Sequence, residues 1–170
     1  MSGEKFFGKY RGTVVNNIDP MQMGRIQATV PDVSALLPTS WAMPCVPVAG
    51  LQTGVFTVPI VGSGVWIEFE QGDADYPIWV GGFWGSAGEV PAISRLAPPA
   101  VPSFSFQTPL QNGLIVSDLP GPTGGIMLKS TTGATIIVND TGIYIQNGKG
   151  ASIVMTGPSV TINNGAMVLI

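Results

Sequence analysis

Gly133-Ala134-Thr135-Ile136-Ile137-Val138-Asn139-Asp140-Thr141-Gly142-Ile143-Tyr144-Ile145-Gln146-Asn147-Gly148-Lys149-Gly150 decides how the rest of this chain is read. Glycine recurs every seven to nine residues, at Gly133, Gly142, Gly150, Gly157 and Gly165. A short run of strand formers follows each one: Ala134 to Val138, Ile143 to Gln146, Ala151 to Thr156, Ser159 to Ile162 and Ala166 to Ile170. The period is too short for a helical solenoid repeat. It fits stacked β-rungs with those glycines as corners and tight turns at Asn139-Asp140, Asn147-Gly148 and Asn163-Asn164-Gly165.

Alternation along the rungs sorts the side chains into two faces. Ile126 and Leu128, Ile136 and Val138, Ile143 and Ile145, Ile153 and Met155, and Val160 and Ile162 all point one way. Lys129, Thr135, Tyr144, Gln146, Ser152 and Thr161 point the other, and from Pro120 onward only Lys129, Asp140 and Lys149 are charged. A lone ribbon would leave the apolar stripe in water, where small ribbons are marginal. Three copies wound about one axis would merge their stripes into a shared core. Residues 124–170 are therefore expected to form an intertwined trimeric β-helix, a prism-shaped stalk, with those ten side chains as trimer core. An aggregation-prone tail would share the strand propensity and low charge, but it has no need of regular corners.

Upstream, Pro91, Pro98, Pro99, Pro102, Pro109, Pro120 and Pro122 withhold hydrogen-bond donors, so residues 86–123 read as a Pro-rich extended linker. Its Ala, Pro, Val and Phe content is too apolar for a free tether, and it is expected to lie against a neighbouring chain. Residues 10–85, after an N-terminal arm at 1–9, read as a small barrel. Its strand candidates are Tyr10 to Val15, Arg25 to Val30, Trp41 to Pro44, Val55 to Pro59, Gly64 to Glu70 and Pro77 to Trp84. That number suits an OB-type barrel, and the expected class is all-β.

Composition narrows the function. Hydrophobic residues make up 45% of the chain and charged ones only 10%, against about 25% charged in an average domain, which points to a surface largely covered by copies of itself. Seven basic against ten acidic residues leave a net charge of -3 and no basic patch to bind phosphates, so nucleic acid is not expected as a partner. No apolar run is long enough for a bilayer, so neither a membrane span nor a signal peptide is expected, and the chain is expected to assemble in the cytoplasm, with which a single cysteine is consistent. Cys45 is the single cysteine and no histidine exists to activate it, so it is read as a structural, buried thiol.

The first segment resembles the OB-fold domain of phage baseplate spike proteins, shared with the valine-glycine repeat spikes of type VI secretion. The resemblance rests on Gly24-Arg25-Ile26-Gln27, Val30-Pro31, Trp41-Ala42-Met43-Pro44, Pro47-Val48-Ala49-Gly50, Gly54, Phe56 and Pro59. It continues through Gly62-Ser63-Gly64-Val65-Trp66-Ile67-Glu68-Phe69-Glu70, Gly72-Asp73-Ala74-Asp75-Tyr76-Pro77 and Gly81, in family order over residues 10 to 85. It implies a homotrimeric central spike of a contractile tail or injection system that pierces an envelope mechanically, as a virion or particle component, with neither catalysis nor cofactor. Larger relatives fuse a hub domain or a lysozyme domain; this chain has room for neither, so a separate hub at the tail tube is implied. Other short spikes end in a histidine pair that holds iron, which a chain without histidine cannot do. Met167, Val168, Leu169 and Ile170 instead form an apolar end, the expected platform for a separate tip protein of the proline-alanine-alanine-arginine repeat type.

Several features have plainer readings than the chemistry they suggest. Asp73 and Asp75 supply too few oxygens for calcium and read as a polar turn before Pro77. Trp41, Trp66, Trp79 and Trp84 lack the flanking basic residues of a base-stacking platform and read as packing residues. Glu68 and Glu70 share a strand face as a hydrolase pair would, but they read as solvent-facing charges. A single-stranded nucleic-acid binder and a cell-wall hydrolase accessory are the two rival functions.

Overall fold

The computed structural model describes residues 4–169, leaving aside the Val168 side chain. Two compact units divide the chain, Met1–Glu89 and Val90–Ile170. All of the extended structure is strand; the helical turns are a single α-helical turn, α1 (Pro31–Ser34), and four short 3-10 segments.

The first unit contains β1 (Tyr10–Asn16), β2 (Gln27–Thr29), β3 (Met43–Pro44), β4 (Ala49–Gly50), β5 (Thr53–Gly54), β6 (Gly64–Phe69) and β7 (Pro77–Phe83). Its main sheet runs β2-β1-β6-β7-β3, with only β3 parallel to its neighbour. Ile26 and Ala42 exchange backbone bonds of 2.7 and 3.2 Å, and Thr39 N donates to Ala28 O, so the segment before β3 also pairs with β2 and closes the sheet on itself. Register shifts at Val14/Asn16 and Trp66/Ile67 supply the bends that closure needs. Inside lie Val14, Ile26, Ala28, Val30, Ala42, Val65, Ile67, Phe69 and Trp79. Phe6, in the expected N-terminal arm, donates its N–H to Gly72 O and packs against Phe69 and Tyr10 at the border of this core. Pro77 opens β7 fully buried, where its missing donor does no harm. Val55 to Pro59 is not a strand: β4 and β5 form a two-stranded hairpin just before it, and Val55 and Phe56 remain exposed.

The second unit is one eight-stranded sheet in which every strand pairs with its sequence neighbours. The strands are β8 (Ser103–Gln107), β9 (Gly113–Ser117), β10 (Gly125–Lys129), β11 (Thr135–Asn139), β12 (Gly142–Gln146), β13 (Ser152–Thr156), β14 (Ser159–Ile162) and β15 (Met167–Leu169). Two expectations change here. Part of the supposed linker is strand: β8 and β9 lie within 86–123, their prolines confined to the flanking turns, and Ala92–Leu96 is a 3-10 turn. The rungs, expected to intertwine between chains, make their ladder bonds within the chain as an antiparallel meander, because short turns make the local pairing the cheapest loop to close.

Asparagines secure these turns. Asn139 Oδ1 accepts from the N–H groups of Thr141 and Gly142, and Asn147 Oδ1 from those of Lys149 and Ala151. Gly133, Gly150, Gly157 and Gly165 lie in connections and Gly142 opens β12, all five with positive φ.

Candidate functional site

Directly paired residues of antiparallel strands project to the same face, so the register of the ribbon defines its surfaces. One row runs Phe104, Val116, Ile126, Val138, Ile143, Met155, Val160, Leu169. The second, two residues along each strand, runs Phe106, Leu114, Leu128, Ile136, Ile145, Ile153, Ile162, Met167. Every position in both rows is apolar. The ten side chains named from the sequence occupy the middle of these rows, with Phe104, Val116, Phe106 and Leu114 before them and Leu169 and Met167 after.

Much of this face is exposed among the described residues. Ile126 is 46% exposed and Leu128 48%, while Phe104, Phe106, Ile136, Val138, Ile145, Ile153, Met167 and Leu169 are also among the exposed large hydrophobics. Met167 and Leu169 prolong the rows, so these two members of the expected platform share the lateral face. The Val168 side chain and Ile170 lie outside what the structure describes.

The opposite face is less polar than alternation suggested. Its central row is Ser105, Ile115, Met127, Ile137, Tyr144, Val154, Thr161, flanked by rows that hold Lys129, Thr135, Gln146 and Ser152. The chain itself covers one end of it. Ile93 and Ala97, in and just after the 3-10 turn, are buried with Ile115. A Cβ at Gly113 would lie 2.9 Å from Ile93 Cδ1, so glycine there lets the turn seat. Ile93 N donates to Gln107 Oε1, and the Ser94 and Ser105 hydroxyls are 2.6 Å apart. The hydroxyls of Thr135 and Ser152 are buried on this side without a hydrogen-bond partner among the described residues.

The four positions in β8 and β9 that the sequence reading missed had a legible signal. Ser103-Phe104-Ser105-Phe106-Gln107 and Gly113-Leu114-Ile115-Val116-Ser117 alternate as the later rungs do, and the surrounding prolines obscured it.

In the barrel unit the acidic candidates do not form a cleft. Glu68 is tied to Lys9 in a surface ion pair and Glu70 is exposed. Asp73 Oδ1 accepts from Asp75 N in a tight turn. The tryptophans divide: Trp79 is buried and donates Nε1–H to Gly24 O at 3.1 Å, Trp66 lies under Arg11, Trp41 lies under Arg25, and Trp84 is exposed. Cys45, expected to be buried, is exposed, whereas Asp19 is buried and built into the fold. Its side chain is 3% exposed, bonded to Arg25 Nη2 at 2.6 Å and to the backbone N–H groups of Met21, Met23 and Arg25. The Arg25 guanidinium, and after it those N–H groups, outweigh desolvation and hold the carboxyl well below the usual carboxylate range. The pair fixes the loop between β1 and β2. Among the described residues no helix is long and apolar enough to cross a membrane.

Two family models match the chain. The type VI secretion system/phage-baseplate injector OB domain matches residues 10–84, and the phage baseplate V C-terminal trimerisation domain matches residues 103–168. No curated protein matches it. The second match begins at the first residue of β8 and takes in both apolar rows almost to their end.

Proposed function

The chain belongs to the phage baseplate spike family, with a structural role in a phage or type VI baseplate, and from that premise we propose that it is the central, envelope-piercing spike of a contractile injection machine. One observation carries the reading: an uninterrupted apolar face, two rows wide and eight strands long, has ten of its sixteen side chains exposed and the other six half-buried, and all but its last residue fall within the match to a trimerisation domain. Two sister copies are its natural cover.

Energetics support three copies. Burying the remaining half of an Ile or Leu side chain is worth about 1 kcal/mol, so two full rows amount to on the order of 10 kcal/mol per copy. That exceeds what association must offset unless immobilisation lies at the top of its range. Strands held by their own chain's ladders and sealed along one face by two others form a rod that cannot splay without exposing all three faces together. This stiffness is what axial thrust demands, and it needs neither cofactor nor catalytic residue.

In this reading the barrel units meet a separate hub at the end of the tail tube. The C-terminal segment, Met167 to Ile170, receives a separate tip protein of the proline-alanine-alanine-arginine repeat type once Met167 and Leu169 have joined the lateral face, and the target envelope is met only in passing. Electron micrographs of the purified chain test the proposal: slender particles with threefold symmetry are expected, and small round single-copy particles would contradict it. Mixing the spike with its candidate tip protein and recovering no complex would remove the tip from the scheme.

A further inference from the structure

From Val33 to Ile67 the chain contains no aspartate, glutamate, lysine or arginine. Two of the barrel unit's ion pairs lie elsewhere, Lys5 with Asp73 at 3.9 Å and Lys9 with Glu68, while a third, the buried Asp19–Arg25 pair, adjoins Met23 and is neutralised within the fold. Much of the uncharged stretch is not buried. Leu51, at the tip of the β4–β5 hairpin, is 95% exposed, and Phe56 is 68% exposed. Two grooves open on this surface. One of about 600 Å³ lies between Met23, Met43, Val48 and Phe56; another of about 640 Å³ lies between Ile60, Val61, Phe83 and Trp84. The single charged residue lining either groove, Glu89, has its carboxylate bonded to Gly85 N and the Ser86 hydroxyl. Isolated exposed hydrophobics are ordinary, but a contiguous uncharged apolar surface marks an interface.

We propose that this surface joins the barrels of sister copies around the threefold axis, the hairpin and first groove of one barrel meeting the second groove of the next. The inference rests on the trimeric spike reading and adds a second, separate contact to it. A cyclic trimer contact is head-to-tail, so every copy must present two different complementary patches. This unit presents two grooves, bridged by Val55 to Val61. Trimerisation through residues 103–168 would hold three barrels at about millimolar effective concentration, so such a surface meets its own copies first. The methionines suit the task, because their unbranched side chains adapt to an irregular partner.

A benzophenone side chain in place of Leu51, in the full chain purified without other baseplate proteins, tests this directly. The particle mass is measured by light scattering before irradiation. The expected result is a trimer that yields covalent dimers and trimers, with adducts on residues 59–64 or 82–84 of another copy. Phe56→Asp should abolish those adducts while leaving the trimer mass unchanged. A trimer giving only adducts within one chain overturns the barrel contact and leaves the spike reading standing, as does one whose Leu51 probe reacts solely with an added hub protein. A single-copy mass overturns both.

Discussion

In the barrel Ile67 is completely buried by its own chain, whereas in the ribbon Ile136 remains 43% exposed, yet both residues sit on short strands with the same alternating pattern. The difference lies in closure. The barrel carries two register shifts and one parallel strand, and at Gly12 an added Cβ would lie 3.1 Å from Ile67 and 3.2 Å from the Thr29 carbonyl. Those irregularities bend the sheet until its edges meet. The ribbon runs in unbroken register from β8 to β15, so it stays open and keeps two faces. A regular sheet with an apolar face is incomplete as a single chain; an irregular one completes itself.

The largest expected effect separates the two regions by assembly. Ile136→Asp places an unpaired carboxylate in the shared core of every copy, at about 3–5 kcal/mol each. Sedimentation velocity should show single chains with the barrel still folded. Gln146→Asp, on the opposite face where the side chain is exposed, should remain trimeric. If both variants dissociate alike, the assignment of faces fails.

Next in size is a change that only the barrel should feel. Ile67→Ala should lower its stability by about 2–5 kcal/mol through transfer and cavity terms, measured by urea unfolding, with no dependence on protein concentration and no change in assembled mass. A smaller effect concerns acid. Asp19 is held more acidic in the fold than in an unfolded chain, where a carboxyl titrates near about 3.9. Its contribution is therefore complete above that value and lost as pH falls below it. The barrel's unfolding midpoint should decline from about pH 4 downward, and Asp19→Asn should flatten that decline while weakening the barrel at neutral pH. Least of all, Lys9→Ala removes an exposed ion pair and should cost no more than about 1 kcal/mol.

The apolar face was legible because a strand's period of two needs no tertiary information: Ile126 through Ile162 declared their side from spacing alone. The rung connections were legible at Asn147-Gly148 for a similar reason, since only a few residues fit such turns. Hydrogen-bond partners were not. A rung paired to its own chain and a rung paired to a sister copy carry the same residues, and only the register shows that the meander is internal. Prolines at 98, 99, 102 and 109 hid β8 and β9 because proline interrupts a ladder only at its own position, leaving Ser103 to Gln107 free to pair. Val55 to Pro59 erred in the other direction, for exposed interface residues and half-buried strand residues share β-branched and aromatic side chains. The uncharged run from Val33 to Ile67 was visible throughout, but alternation and turn signals carry no information about charge.

The mass of the unmodified full chain in dilute solution, from light scattering behind size exclusion, bears most directly on the covered face. Three times 17.7 kDa, unchanged down to micromolar concentration, is predicted; a stable, folded species of 17.7 kDa would contradict it.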